Sequence, residues 1–181
     1  MRLYLLLMAA FLPSWLGAAE LAYPQTEVGT CEVKTLPAGR ILVARSTQAY
    51  FSGDNRLFGK LFRYIQRNRI PMTSPVEARM EPGTMIFYVD TASAKRTDLA
   101  GTQEVELQAV AERQVASVGI RGSYTALSYT TELKRLQEWV ATQRDLEITG
   151  EPYAVYWDSP FVPGFMKRSE VHIPVRRVGA K

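Results

Sequence analysis

Apolar and polar residues alternate in some parts of the chain and recur at helical spacing in others, which predicts short strands and two helices. Strands are predicted where alternation or β-branched residues dominate, at residues 31–36, 40–45, 73–80, 85–89, 105–110, 114–120, 153–157 and 170–175. Turn residues at 37–39 and 81–83 predict that the first strand pairs with the second and the third with the fourth.

The first helix is predicted over residues 55–68, with Asp54 or Asn55 as its N-cap. Its apolar residues are Leu57, Phe58, Leu61, Tyr64 and Ile65. The second helix follows Gly122 and Ser123 and ends near residue 143 or 144, and its apolar residues are Tyr129, Leu133, Leu136 and Val140. Residues 91–102 and 158–168 are predicted loops.

The predicted elements occur in the same order twice, without residue-level identity between the two halves. The fold class is therefore expected to be α+β, with duplicated βαββ halves that form a distorted mixed β-barrel flanked by two α-helices. No linker separates the halves, so residues 20–181 are expected to form a single domain.

Residues 1–19 resemble a secretory signal peptide. Met1-Arg2 is a short positive start, an apolar run follows from Leu3 to Leu12, and the small residues Gly17-Ala18-Ala19 offer a cleavage site after Ala19 or one residue earlier. The apolar run is shorter than the roughly 18 to 20 residues that span a bilayer. We therefore expect an exported protein, periplasmic or secreted, without stable membrane insertion after cleavage.

Composition excludes several classes of protein. Of 181 residues, 46% are hydrophobic and 22% charged, which is typical of a globular protein. One Cys and one His exclude a disulfide framework and a cluster of histidine ligands, and a net charge of +4 gives no reason to expect nucleic-acid binding. Common nucleophile, phosphate-binding and dinucleotide-binding motifs are absent from the sequence, so no catalytic constellation is predicted.

Two blocks of the sequence carry a recognisable pattern. The first runs through Tyr50-Phe51, Phe58-Gly59-Lys60-Leu61-Phe62-Arg63-Tyr64-Ile65 and Ile70-Pro71-Met72-Thr73-Ser74-Pro75-Val76. The second comprises Tyr156, Asp158-Ser159-Pro160-Phe161 and Lys167-Arg168-Ser169-Glu170-Val171. Together, the two blocks resemble the SOUL haem-binding proteins. The resemblance implies the duplicated barrel, a fold shared with GyrI-like effector-binding domains, and reversible, non-covalent binding of haem or a related tetrapyrrole. It places the groove between the first helix and residues 158–168.

A haem site needs an apolar slot and cations for two carboxylates. Arg56, Lys60 and Arg63 lie along one face of the predicted helix, either as carboxylate ligands or as an ordinary solvated face. Tyr64 of the helix motif is included in the candidate site. The loop adds Phe161, Phe165, Met166 and Lys167, and it either contacts a ligand or folds back as a lid over the core.

His172 is the only possible imidazole ligand. The apolar positions of its strand are 171, 173 and 175, so His172 is predicted on the outer face, partly exposed, either as an ordinary strand residue or as an axial ligand. The expected function is that of an exported carrier or buffer of haem, with no metal site of its own. The alternatives are a binding module for another small apolar ligand, a protein-interaction domain and a cofactor-free hydrolase.

Overall fold

The computed structural model describes residues 19–53 and 55–179. The predicted leader lies outside the described residues, except for Ala19. The strands are β1 (Glu20–Leu21), β2 (Cys31–Leu36), β3 (Gly39–Arg45), β4 (Thr73–Ser74), β5 (Val76–Arg79), β6 (Thr84–Tyr88), β7 (Glu106–Val110), β8 (Arg113–Arg121), β9 (Leu146–Ile148), β10 (Tyr153–Tyr156) and β11 (Arg168–Arg177). The helices are α1 (Leu57–Asn68), α2 (Thr91–Ala94) and α3 (Ala126–Thr142), with a 3₁₀ turn at Gly164–Met166. None of the helices in the described part of the chain is long and apolar enough to cross a membrane.

Both long helices occur where the apolar spacing predicts them. α1 buries Leu57, Leu61, Tyr64 and Ile65, which recur on one helical face. Its first turn differs from the prediction, because Arg56 precedes the helix in the left-handed region and Asn55 Oδ1 accepts a hydrogen bond from the Leu57 N–H at 3.2 Å. The short helix α2, inside the predicted loop at 91–102, is capped by Asp90, which accepts from the Ser93 N–H.

The main sheet runs in the order β2-β8-β11-β10-β5-β6-β3-β7, with β9 paired to β11, and its strand pairs are antiparallel. The first half contributes β3, α1, β5 and β6, and the second contributes β8, α3, β10 and β11. The two halves meet where β5 pairs with β10. The prediction of an α+β fold with duplicated βαββ halves is confirmed.

The predicted hairpin between β2 and β3 is wrong. β2 pairs with β8 of the second half, and β3 pairs with β6 and β7. The alternation of β2 marks it as a strand but does not determine its partner. Packing determines the partner, because Cys31 and Val33 pack against the core beneath α3. β7 makes the reciprocal exchange, since it precedes β8 but pairs with β3 of the first half.

Each long helix covers a core on one face of the sheet. Beneath α1, Leu42, Phe87 and Met85 pack against the buried helix residues. Beneath α3, Val118, Val171 and other residues of β8 and β11 do the same. The helices therefore lie side by side on this face, and the central strands β5 and β10 lie between them.

The opposite face of the sheet is the inside of a half-barrel. Leu36 on β2 and Val110 on β7 belong to the same hydrophobic cluster, although their strands lie at opposite edges of the sheet. Tyr23 also belongs to this cluster and packs edge-on against Tyr88 and Trp157, with ring centroids 5.5 and 5.6 Å apart. The N-terminal segment, residues 20–30, thus crosses the interior and is held there by β1 and by a bridge from Val28 to Gly119.

Gly119 on β8 is predicted to be essential for the docking of the N-terminal segment. A Cβ atom at this position would lie 2.3 Å from the Glu27 carbonyl oxygen and 2.6 Å from that of Thr26. We expect Gly119→Ala to lower the free energy of unfolding by about 1 to 3 kcal/mol, because the backbone of the segment must move. Urea denaturation would measure this change.

The matched control is Gly39→Ala at the start of β3, where an added Cβ meets no atom within 4 Å. It should leave stability within about 0.5 kcal/mol of the parent chain. Equal stability of the two variants would contradict the proposed role of Gly119.

Candidate functional site

His172 faces the inside of the half-barrel and is fully buried. The prediction of an outward, partly exposed His172 is therefore wrong. Both faces of β11 are covered, since Val171 and Ile173 pack beneath α3 while His172 packs against the rings of Tyr23 and Tyr153. Alternating polar residues are typical of a strand with one solvated face. Here the polar face is covered by other protein groups instead of water.

Glu170, two residues before His172, is the centre of a buried polar network. Its carboxylate accepts hydrogen bonds at 2.6 to 2.9 Å from Lys34 Nζ, His172 Nε2, the Thr26 backbone N–H, Trp157 Nε1 and the Ser117 hydroxyl. Burial opposes ionisation of this carboxyl group. The hydrogen bond from His172 and the charge and hydrogen bond of Lys34 outweigh that effect and lower the pKa of Glu170 to about 2.

Burial lowers the pKa of His172, which favours the neutral imidazole. A neutral imidazole donates through one nitrogen and accepts through the other. Because Glu170 Oε2 lies 2.6 Å from Nε2, we assign the proton to Nε2, and Nδ1 accepts from the Tyr153 hydroxyl at 3.2 Å. Both nitrogens have partners, so neither is available in this structure as an axial ligand or as a general base.

A second buried carboxylate, Glu77 on β5, lies in the same interior. It accepts hydrogen bonds from the Tyr88 hydroxyl at 2.5 Å, from Arg113 at 2.9 Å and from the Tyr23 hydroxyl at 3.3 Å. Burial and the charge of Glu77 raise the pKa of Tyr88 well above its usual range. Among the described residues no group of three or more His, Cys, Asp or Glu is placed to hold a metal ion. The hydrogen bonds of Glu77 connect β5 to β6, β8 and the N-terminal segment.

Between α1 and α3, on the other face of the sheet, three tyrosines form a row. Tyr156 of β10 is in the middle, with ring centroids 4.4 Å from Tyr124 and 6.0 Å from Tyr50. Burial raises the pKa of Tyr50 and of Tyr124 to about 12, so both remain protonated at neutral pH. Phe51 packs against Tyr50 at one end of the row, and Lys167 Nζ lies 5.0 Å from the Tyr124 ring at the other.

A cavity of about 450 Å³ opens beside Tyr50, at the start of α1. Its described lining consists of Tyr50, Gly53, Asn55, Arg56, Leu57, Phe58, Gly59, Arg63 and Met85. This volume lies in the range of small-molecule sites, which are mostly apolar with a few polar groups. Within the described part of the chain, Arg63 pairs with Glu104 at 3.8 Å, and both side chains are more than half exposed, so this ion pair is weak.

Two of the predicted helix residues, Arg56 and Arg63, line the cavity. Lys60 is half-buried on α1 and does not belong to the described lining. Tyr64 lies in the core beneath α1, and its hydroxyl donates to the Ala100 carbonyl at 2.7 Å. The Tyr64 side chain is therefore held away from the cavity.

The predicted loop residues lie elsewhere. Phe161, Phe165 and Met166 are exposed, and Lys167 is half-buried over Tyr124. A second, water-sized cavity of about 10 Å³ lies beside Tyr124 and Tyr156. The described lining of neither cavity includes residues 158–168. The first helix and the loop thus border opposite ends of the tyrosine row, without sharing a described cavity.

Sequence reasoning missed three residues of the cavity wall, Tyr50, Phe58 and Met85. Tyr50 and Phe58 belong to the first motif block, and this was the sequence feature that could have indicated a role in the site. The spacing of apolar residues along the helix predicts that Phe58 is a core residue, but its side chain is partly exposed. Met85 is separated from α1 along the chain by two strands, and no sequence pattern connects it to the helix.

The chain matches the family model described as SOUL heme-binding protein over residues 19–174. No curated protein matches it. Among solved structures, the crystal structure of the EcmrR C-terminal domain has a TM-score of 0.64 at 15% identity, and the match covers 82% of this chain and 98% of that domain.

Two other solved structures are similar in fold. In the cryo-EM structure of an EcmrR–DNA complex, the TM-score is 0.64 at 15% identity, and the match covers 82% of this chain but 58% of the EcmrR chain. A crystal structure described as a hydrolase from Listeria innocua has a TM-score of 0.57 at 12% identity, with coverage of 83% and 94%. At these identities the likeness concerns the fold alone.

The Glu170 network predicts a distinctive dependence of stability on pH. The pKa of Glu170 is about 2 in the folded chain and about 4.5 in an unfolded one. Below pH 4.5 the unfolded chain binds a proton that the folded chain excludes, so the contribution of Glu170 is present above this pH and is lost as the pH falls towards 2. Urea unfolding across this range would measure the effect.

In Glu170→Gln we expect the free energy of unfolding at pH 7 to fall by about 3 to 5 kcal/mol, because a buried pair loses one partner. Its loss of stability between pH 4.5 and 2 should be shallower than in the parent chain. Glu147→Gln removes an exposed carboxylate paired with Arg176 and is the control that should change little. If the free energy of unfolding changed with pH in the same way in the parent chain and in Glu170→Gln, the lowered pKa of Glu170 would be refuted.

Proposed function

The chain belongs to the SOUL heme-binding protein family, and from this we propose that it binds haem or a related tetrapyrrole reversibly, as a carrier or buffer, in the cavity at the start of α1. The observation that carries this proposal is the pairing of an apolar wall with two arginines in one cavity of ligand size. Arg56 and Arg63 supply charge where Tyr50, Phe58 and Met85 supply apolar surface.

The chemistry of the wall suits a flat ring with acidic side chains. The Phe58 ring is supported from behind by Phe62 and Phe87, whose centroids lie 5.7 and 5.4 Å away, so its position is defined before a ligand arrives. An aromatic face of this kind packs well against a macrocycle. Arginine is suited to bind carboxylates, because its planar fork donates two parallel hydrogen bonds.

Iron ligation is a separate matter from binding of the ring. The only histidine of the chain is buried in the Glu170 network and has no access to the cavity. Ring packing and carboxylate pairing would therefore supply the affinity. A site of this kind releases its ligand more readily than one that adds an imidazole–iron bond, which agrees with a carrier or buffer.

A different flat, apolar anion in the same cavity is the alternative ligand, since the wall itself does not require a porphyrin. The similarity to the EcmrR domain supports a shared fold only. Hydrolysis, suggested by the Listeria innocua protein, would need a base at the ligand, and none of the described lining residues is Asp, Glu or His.

We expect haemin to bind the chain with a saturable one-to-one Soret shift, and Arg56→Gln/Arg63→Gln to weaken this binding by about tenfold or more. The control is Lys134→Gln/Arg144→Gln, which removes the same charge from exposed positions at α3 and beyond its end. It should bind haemin like the parent chain. Titration followed by absorption and by tryptophan quenching measures all three affinities.

Metal-free protoporphyrin tests the role of iron in the same assay. It should bind within about threefold of haemin, because the cavity recognises ring and carboxylates. Equal weakening of both double variants would show that only net charge matters. Adsorption of haemin without a stoichiometric endpoint would refute the haem proposal and favour the alternative ligand.

We also propose that the chain is exported and that residues 1–19 are removed. The support is the apolar run from Leu3 to Leu12 followed by small residues. Mass spectrometry of the chain recovered outside the cytoplasm should find Glu20, or Ala19, at the amino terminus. Leu6→Arg places a charge in the apolar run and should leave the chain uncleaved inside the cell. Recovery of the parent chain with residues 1–19 intact would contradict the proposal.

A further inference from the structure

The apolar loop, residues 160–166, plays no part in the proposed cavity. Its sequence is Pro-Phe-Val-Pro-Gly-Phe-Met, seven residues without a polar side chain. Phe161 is 96% exposed, Phe165 76% and Met166 50%. Contiguous exposed apolar side chains of this size mark a contact surface.

The loop does not cover the core as a lid in this structure, because its large apolar side chains are exposed, and hydrogen bonds hold its base together. Asp158 accepts hydrogen bonds from the Arg168 N–H at 2.6 Å and from its guanidinium at 2.8 Å, which ties the two ends together. The Tyr124 hydroxyl donates to the Arg168 carbonyl at 2.8 Å and accepts from the Asp158 N–H at 3.0 Å. These bonds fix the base of the loop, which reduces the ordering that binding of a partner would require.

Positive charge surrounds the base of the loop. Lys167 follows it directly, and Arg168 lies opposite Arg121 in the register of β11 and β8. Asp158 is the only acidic side chain from residue 158 to residue 169, and it neutralises Arg168. Lys167 and Arg121 therefore leave net positive charge behind an apolar tip, on a chain whose net charge is +4.

We propose that residues 160–166 dock the protein reversibly on the surface of an anionic lipid bilayer. Apolar side chains at the tip enter the boundary between headgroups and acyl chains, while cations at the base meet the lipid phosphates. A protein partner would need an apolar pocket for the tip and acidic groups around that pocket. An anionic bilayer offers the same combination over its whole surface, with acyl chains for the tip and phosphates for the cations at the base. This inference does not rest on the proposed haem binding.

Sedimentation with vesicles tests the proposal. The parent chain, from residue 20, should bind vesicles of equal parts phosphatidylglycerol and phosphatidylcholine, and binding to phosphatidylcholine alone should be about tenfold weaker or absent. Phe161→Ser/Phe165→Ser should reduce binding to the anionic vesicles by about tenfold or more. Ile148→Ser/Val178→Ser, which replaces exposed apolar residues at β9 and the end of β11, is the matched control and should bind normally.

A fluorescent reporter locates the contact. In Phe161→Trp, anionic vesicles should shift the emission to the blue, and lipids brominated in the acyl chain should quench it, whereas Ile148→Trp should respond to neither. Raising the salt from about 0.1 M to about 1 M should weaken binding.

Three results would overturn the proposal. The first is equal vesicle binding by the loop variant and its control. The second is concentration-dependent dimerisation lost in Phe161→Ser/Phe165→Ser, which would assign the loop to a second copy of the chain. The third is loss of haemin binding by this variant without lipid, which would place the loop in the ligand site. The arginine variants test the α1 cavity separately, so failure of one proposal is distinguishable from failure of the other.

Discussion

A carboxylate inside an apolar barrel must be compensated by donors and by positive charge, and for Glu170 these come from five different parts of the chain. This compensation joins the N-terminal segment through Thr26, β2 through Lys34, β8 through Ser117, the end of β10 through Trp157 and β11 through His172. Removal of any one donor would leave the buried carboxylate less fully compensated, which costs more than the bond itself contributes. The network therefore specifies which segments cross the interior.

Because the buried polar network lies inside the half-barrel, the proposed ligand site lies on the opposite face of the sheet. Polar residues inside the half-barrel stabilise the fold. On the other face, the space between α1 and α3 contains the row of tyrosines and, next to it, the cavity beside α1. This space follows from the duplication. Each long helix covers the core of its own half, and neither helix covers β5 and β10, the strands between them. The described lining of the proposed site comes entirely from the first half, and Tyr50 connects it to Tyr156 of the second half.

Much of the fold follows from the sequence, because helical and alternating patterns reflect burial directly. α1, α3 and the hairpin of β5 and β6 lie where the patterns predict them. The pairing of the strands is less predictable, since alternation identifies a strand but not its neighbour. β2, for example, pairs with β8 of the other half. Arg56 and Arg63, which helix spacing places on one face, line the proposed cavity, and their role there stays a prediction. His172 was misplaced because a polar face buried against other polar groups has the same pattern as a solvated one.

The exchange of edge strands between the halves also affects how the chain can fold. β2 pairs with β8, so Cys31 lies opposite Val118 and Leu36 opposite Arg113. Contacts between residues so distant along the chain require closure of a long loop and slow the folding reaction. β2 and β8 join the rest of the sheet only through β11, so this side of the barrel cannot be completed until the last strand has been synthesised. The nascent chain therefore remains without its native barrel until well into the second half of translation.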